Sequence, residues 1–444
     1  MIPREVQAVL RKLNEAGFEG YLVGGCVRDM LLGKVPHDWD ITTSALPEET
    51  MTLFAHFAIP TGLQHGTVTV RSGGLSCEVT TYRTDGDYSD HRRPDGVTFT
   101  RSLREDLARR DFTVNAMAMG ADGTVHDYFG GQEDLRRGIL RCVGEPKQRF
   151  SEDALRILRA LRFSATLGFP IEEETKAALV ELKDDLSYVA AERIREELTK
   201  LLQGQDVERV LNAFPQVVGT VIPEMLPAVG FDQRNCHHYL DVWQHTVRAV
   251  AVSQNDPIIR WAMLLHDLGK PSVFSVDEEG VGHFFGHAHV SENIARTVCG
   301  RLRFDNRSAQ RIVTLVAYHD RPVALTEKAM TRLLRQIGVE NAYALCNVKR
   351  ADNLAQHPDY HGRQAVLDEA EALISRIVES DKCFSLKQLA VDGNDMLSLG
   401  LRGREIGQAL ELLLSAVMDG ELPNEKEALI NEAKRKYPIG TLQL

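Results

Sequence analysis

The chain has 444 residues, of which 43% are hydrophobic and 26% charged; the length fits about three domains, and the composition fits a chain that buries a sizeable core. A net charge of −11 excludes a protein that coats nucleic acid non-specifically, though not one with a local basic groove. No apolar run is long enough to span a bilayer, so no membrane partner is expected.

The opening stretch MIPREVQAVLRKL places Val6, Val9, Leu10 and Leu13 at the spacing of one helix face. It lacks the apolar core of a signal peptide, so the expected location is cytoplasmic. The seven cysteines form no CxxC pair, and free thiols are expected. Up to about residue 140, β-branched runs alternate with glycine turns. EGYLVGG, DWDITT, GTVTVRS and LSCEVTTYR read as strands. From Glu145 the periodicity is mainly helical. The proline-containing stretch FPQVVGTVIPEMLPAVGFDQ interrupts it near residues 214–233 and marks a boundary.

Within the first part, YLVGGCVRDMLLG reads as a strand, a turn at Gly24 and Gly25, and an amphipathic helix. Glycines let a backbone approach a phosphate, helix amides point at it, and Arg28 adds a charged donor. HDWDIT follows, with Asp38 and Asp40 two apart on a strand and therefore on one face. Two such carboxylates repel unless a cation lies between them, and Mg2+ with a triphosphate meets that need. Glu78, in LSCEVTTYR, is a candidate third acid. The alternation leaves its face open, and a solvent-facing charge explains it as well.

GEPKQRFSEDALRILRALRF, from Gly144 to Phe163, reads as one helix. Leu155, Ile157, Leu158, Ala160 and Leu161 can seat it. Glu152, Asp153, Arg156, Arg159 and Arg162 form a polar stripe. On a continuous helix Asp153 and Arg156 are neighbours at i, i+3, as are Glu152 and Arg156 at i, i+4. A carboxylate can accept from the exocyclic amine of cytosine or adenine, while a guanidinium beside it donates to the adjacent ring acceptor. Uracil and guanine present a carbonyl instead, which costs a few kcal/mol in a desolvated site. A salt-bridged helix with a solvated face is the alternative.

These motifs, in this order, together with RRDFTVNAMAM (Arg109 to Met119) and DYFGGQEDL (Asp127 to Leu135), resemble the class II tRNA nucleotidyltransferase and bacterial poly(A) polymerase family, whose catalytic fold is shared with polymerase β. The resemblance implies an α+β fold. Residues 1–140 would be a nucleotidyltransferase head with a mixed sheet and helices, and residues 141–220 an all-α neck for nucleotide selection. It implies transfer of CMP and AMP from CTP and ATP to the 3′ end of tRNA, with Mg2+ as cofactor and no DNA partner. Asp38 and Asp40 would be the metal-holding catalytic pair. Asp153 and Arg156 would select the base, and Arg159 and Arg162 would reach triphosphate or RNA. Arg110 suits phosphate, while Asp111 suits a ribose hydroxyl or a bridge to the selecting helix. Asn115 could contact sugar or close a turn. DYSDHRRPDGVTF (Asp87 to Phe99) resembles the family's flexible loop.

A second constellation follows. His245, the pair His266–Asp267 in WAMLLHDLGKP, His287, His319 and Asp352 are spread over several predicted helices. The set H…HD…H…H…D resembles the HD phosphohydrolase superfamily. It implies an HD domain over residues 221–360 that holds a second divalent metal of unknown identity, with phosphomonoesters or cyclic phosphates as substrates. His289 and Asp320 lie close enough to compete for the assignment. A helical tail, 361–444, contains LSLGLRGREIGQAL and NEAKRKY. Its G-x-x-G turn offers backbone amides to a tRNA phosphate or simply caps packed helices. The alternatives to CCA addition are poly(A) synthesis, CC-only or A-only addition, and a phosphohydrolase whose first domain only binds nucleotide or RNA.

Overall fold

The computed structural model describes residues 2–85, 97–235, 239–380 and 383–437. The expected flexible loop lies outside these residues up to position 96. The chain divides into two compact units, residues 1–226 with 301–304, and residues 227–300 with 305–444. The head and neck segments therefore share one unit, and the histidine-rich and tail segments share the other. The division after residue 226 falls inside the proline-containing stretch.

The first unit is built on a seven-stranded mixed sheet. Its strands are β1 (Gly20–Val23), β2 (Trp39–Thr43), β3 (Ala58–Gly62), β4 (Thr67–Ser72), β5 (Leu75–Thr81), β8 (Met117–Met119) and β9 (Val125–Asp127) in the order β3-β4-β5-β2-β1-β8-β9. A separate hairpin pairs β6 (Arg83–Asp85) with β7 (Val97–Phe99). All neighbours in the large sheet are antiparallel except β2 and β5. That parallel pair sets Asp40 directly beside Glu78, so their side chains share a face, which the alternation of β5 alone leaves undecided. The predicted strands form as β1, β2, β4 and β5. Asp38 sits just outside β2, exposed, and Asp40 is its second residue.

The helix Arg4–Glu15 buries Val6, Val9, Leu10 and Leu13, the four residues whose spacing predicts it. The helix Gly25–Leu31 follows β1 through Gly24, whose φ of +79° suits glycine. The remainder of this unit is helical from Pro146 onward, and so is most of the second unit. In the latter, the helices Val242–Val252, Pro257–Leu265, His287–Arg301, Asn306–Tyr318 and Val339–Leu354 carry or adjoin the candidate histidines. Among the described residues no helix is long and apolar enough to cross a membrane. The six cysteines among them are free and buried.

The stretch Gly144–Phe163 is not one helix. The helix Pro146–Glu152 ends at Asp153, whose backbone is extended (φ −140°, ψ 101°), and a new helix runs Leu155–Leu167. Asp153 Oδ1 accepts from the Leu155 amide at 3.1 Å, so the side chain serves the start of the second helix. Asp and Asn are favoured in that role.

Gly131, in DYFGGQEDL, opens the helix Gly131–Arg137. A Cβ there would collide with the carbonyl oxygen of Thr113 and lie 2.9 Å from Met117 Cγ. Gly131→Ala therefore forces the helix away from the turn beneath it, and we expect a loss of about 1–3 kcal/mol, read as a lower denaturation midpoint. An unchanged midpoint would refute the packing argument.

Candidate active site and histidine cluster

The turn after β1 brings Gly24 up to the carboxylate of Asp40. A Cβ at Gly24 would lie 3.1 Å from Arg110 Nη1 and 4.0 Å from Asp40 Oδ2, so the glycine keeps open the space between a carboxylate and a guanidinium. Gly25, by contrast, has ordinary φ. Burial raises the Asp40 carboxyl, as do the charges of Glu78 and Asp38, while Arg110 opposes them. Asp40 thus senses both other acids, and carboxylates gathered in this way suit a hard cation.

Arg110 is held from behind. Asp106, fully buried, accepts from Arg109 Nε at 3.0 Å and lies 3.5 Å from Arg110 Nη2. It also accepts from Thr42 Oγ1 in β2 at 3.0 Å and from the Arg83 amide at 3.4 Å, where the β6–β7 hairpin begins. One carboxylate thereby ties the arginine pair to the strand that carries Asp40.

Asp111 takes the bridging alternative. Its Oδ2 accepts from Arg159 Nε at 2.8 Å and Nη2 at 2.5 Å. Its Oδ1 accepts from the Phe112 amide at 2.8 Å and from Asn115 Nδ2 at 3.3 Å. Asn115 lies in the turn Thr113–Asn115 and accepts from Arg28 Nη1 at 2.7 Å. Arg28 is buried and also holds Asp29. Arg162 pairs with Glu197 at 2.7 Å, and its guanidinium lies 3.9 Å from the centre of the Phe163 ring. Neither Arg28 nor Arg162 lines the cavity described next.

A cavity of about 240 Å³ is lined by Arg109, Arg110, Asp111, Asp153, Arg156, Arg159 and Arg193. Because the helix breaks at Asp153, Asp153 and Arg156 are not paired side by side as a continuous helix requires. Arg156 Nη1 donates to Glu152 Oε2 at 2.7 Å and to the Arg149 carbonyl at 3.0 Å, and its Nη2 donates to the Arg109 carbonyl at 3.0 Å. Asp153 instead faces Arg193, 3.0 Å away. Both still line one cavity. Arg193 and Glu197, on the helix Ala191–Leu202, are not among the residues expected from the sequence motifs. Glu197 could have been found, because it interrupts the buried series Ile194, Leu198, Leu201 and Leu202, where a carboxylate needs a cationic partner.

The six metal-ligand candidates of the second unit converge. His245, His266, Asp267 and Asp352 form one group of possible ligand atoms within 4.8 Å of one another, and Asp267, His287 and His319 form a second that shares Asp267. Each histidine uses Nδ1 on a backbone carbonyl: Ala355 for His245, Met263 for His266, Phe284 for His287 and Val316 for His319. A carbonyl only accepts, so each Nδ1 carries the proton, and all four Nε2 atoms turn inward. Anchored histidines of this kind are typical of metal ligation. His266 Nε2 is buried without a hydrogen bond of acceptable geometry, although Asp267 Oδ2 lies 3.3 Å away; a metal ion would satisfy it. Burial opposes ionisation of Asp267, but His266 and Lys270 outweigh it and hold the carboxyl well below the usual range. Of the two competing residues, His289 is 78% exposed and Asp320 62% exposed at the side chain, and neither belongs to either group.

The Poly A polymerase head domain matches residues 20–141, the RNA and SrmB-binding site of polymerase A, described as probable, matches 168–214, and a tRNA nucleotidyltransferase domain 2, described as putative, matches 274–433. The CCA-adding enzyme of Leuconostoc mesenteroides is 35% identical over 437 residues, which covers 97% of this chain and 96% of that protein. This chain belongs to the CCA-adding enzyme family. Its relative from Geobacillus stearothermophilus is 36% identical over 434 residues, covering 96% and 95%. In fold, it is similar to the Bacillus stearothermophilus CCA-adding enzyme solved in complex with CTP, with a TM-score of 0.72 and 32% identity over 98% of each chain.

The Asp111–Arg159 pair makes stability depend on pH. Burial opposes ionisation of Asp111, but Arg159, through its charge and hydrogen bonds, outweighs it and holds the carboxyl at about 2, below its ordinary 3.8. A carboxyl depressed on folding contributes stability that is present above the unfolded value and lost as pH falls toward the folded one. That depression corresponds to roughly 2 kcal/mol. Urea unfolding should find Asp111→Asn less stable than the parent at pH 6, with the gap narrowing by this amount as pH falls from about 5 to about 2. Parallel pH profiles would contradict the assignment.

Proposed function

We propose that this chain adds the 3′-terminal CCA to tRNA from CTP and ATP without a nucleic-acid template. The observation that carries this reading is the cavity in which Asp153 and Arg156 stand beside Arg109, Arg110 and Arg159, in a chain matched end to end by CCA-adding enzymes. Residues 1–140 form the catalytic head, 141–220 select the nucleotide, and the tail from 361 contacts tRNA.

Asp38 and Asp40, with Glu78 beside Asp40 in register, would hold Mg2+. Bound there, the ion supplies charge neutralisation of the triphosphate and acidifies the primer 3′-hydroxyl. Arg110, kept in place by Asp106, orients phosphate across the opening preserved by Gly24. Asp153 accepts from the exocyclic amine of cytosine or adenine, and Arg156 donates to the adjacent ring acceptor after exchanging one of its present partners. Asp40, whose affinity for a proton is raised, takes the proton of the 3′-hydroxyl. The hydroxyl oxygen attacks the α-phosphorus, the bond from that phosphorus to the bridging oxygen breaks, and pyrophosphate leaves with the electron pair.

The histidine cluster supports a second activity, metal-dependent phosphoester hydrolysis in an HD domain over residues 221–360. His245, His266, Asp267, His287, His319 and Asp352 would hold a divalent metal, which when bound supplies an activated water. Imidazole nitrogens with two carboxylates suit a borderline metal better than the oxygen-only set in the head.

Offering tRNA that ends at the discriminator base, in C or in CC, with CTP and ATP separately and together, and sequencing the products, tests the first reading. Ordered CCA is expected; CC alone, A alone or long A tails would overturn it in favour of the corresponding enzyme. Asp38→Ala and Asp40→Ala should each abolish incorporation while tRNA binding survives. Normal turnover in both would move the metal site elsewhere. For the cluster, purified protein should retain metal and cleave a simple phosphoester, and His266→Ala should lose both. No bound metal and no cleavage in the parent would leave these helices a scaffold.

A further inference from the structure

Asp153 is not free to turn. Its Oδ1 accepts from the Leu155 amide at 3.1 Å and lies 3.5 Å from Arg193 Nη1; its Oδ2 accepts from Arg193 Nη2 at 3.0 Å. Arg193 reaches it from another helix, Ala191–Leu202, and lines the same cavity. A carboxylate offers about four acceptor positions. Three are engaged, which leaves room on Oδ2 for one more donor.

We propose that Arg193 is a specificity-determining residue, acting through Asp153 to make the site reject uracil and guanine. The inference rests on Asp153 being the base reader. A carboxylate at a helix break, 16% exposed at the side chain, could otherwise rotate away from a base that presents a carbonyl. The two-pronged contact with Arg193 prevents this by fixing the carboxylate plane against the Leu155 amide. A cytosine or adenine amine can then complete the set. A carbonyl oxygen meets a second acceptor that cannot move, and the electrostatic penalty stays in full.

The arrangement works in both directions. Arg193 is itself a donor beside the cavity, and a free guanidinium there could serve a uracil or guanine carbonyl. Asp153 engages Nη2 at 3.0 Å and so directs that donor away from such a carbonyl.

The test is single-nucleotide addition by the full-length enzyme to a tRNA ending in C, comparing kcat/KM for CTP and UTP, and to one ending in CC, comparing ATP and GTP. Arg193→Ala should raise the UTP/CTP and GTP/ATP ratios by tenfold or more, because the wrong nucleotide gains relative to the right one. Arg193→Lys keeps a charge and one donor, so it should recover most of the discrimination; it also provides a reading if the alanine variant folds poorly. If Arg193→Ala and Arg193→Lys lower all four values in equal proportion, the residue is only structural and the proposal fails. Asp153→Ala separates this failure from that of the underlying reading: it should collapse discrimination whatever stands at 193. Discrimination surviving in Asp153→Ala would mean that the base is read elsewhere.

Discussion

The contact on which the candidate site depends is the pair between the buried Asp111 and the half-buried Arg159. It joins the segment following Arg109 and Arg110 to the helix Leu155–Leu167, so the arginines and Asp153 that line one cavity hold one geometry. Such a pair is costly to desolvate, and burying it is justified by what it positions more than by what it stabilises. Hydrogen bonds satisfy the rest of the carboxylate: Asn115 and the Phe112 amide take Oδ1, and Asn115 passes the constraint on to Arg28. From there the alternation of charge continues through Arg159 and Glu197 to Arg162. Every guanidinium in this series is matched to a carboxylate or amide oxygen, which keeps a dense group of arginines from repelling itself apart.

The aromatic ring of Phe163 lies inside this group. The guanidinium centres of Arg28, Arg159 and Arg162 lie 5.3, 5.4 and 3.9 Å from its centroid, and Phe112 meets it edge-on at 5.8 Å. A π face accepts positive charge without competing for the hydrogen bonds that hold the arginines in place. Phe163 is thus both a core residue and part of the electrostatic support for the helix Leu155–Leu167. Polar stripe and apolar seat are not separable on that helix, although the sequence presents them as two faces.

How far such features can be read from sequence depends on whether they are local. The Gly-Gly turn, the strand with Asp40 and the first helix follow from short windows, because a turn, an alternation and a helical period are all local. The position of Glu78 does not, since it depends on β5 lying parallel to β2, a pairing between segments nearly forty residues apart. The short strands β3, β8 and β9 take their stability from neighbours rather than from their own composition. The break at Asp153 had a local sign, an Asp just ahead of the apolar run Leu155, Ile157 and Leu158. The same acid also fits a helical i, i+3 pair with Arg156, and that competing pattern hides the cap. Arg193 could not be linked to Asp153 at all without the packing of two helices. In the second unit the reverse holds. Metal-ligating side chains are few and chemically distinctive, so six residues scattered over more than one hundred positions could be gathered from sequence, although their shared carboxylate could not.

That shared carboxylate explains why the cluster is organised as it is. Asp267 belongs to both groups of possible ligands, and it receives Lys270 at 2.7 Å. Lys270 in turn donates to Gln233 at 2.9 Å, so the ammonium is buried but satisfied. Two carboxylates at this depth require positive charge, and the structure surrounds them with four imidazoles whose outer nitrogens are already committed to backbone carbonyls. A ring fixed in this way can neither flip nor exchange its tautomer without losing a hydrogen bond. The inner nitrogens must then answer to whatever cation the carboxylates attract. The head follows the opposite rule: its acids sit at a strand end, with Asp38 exposed and open to solvent exchange. The acids of the head are thus open to exchange, whereas the four anchored nitrogens gather around a buried Asp267.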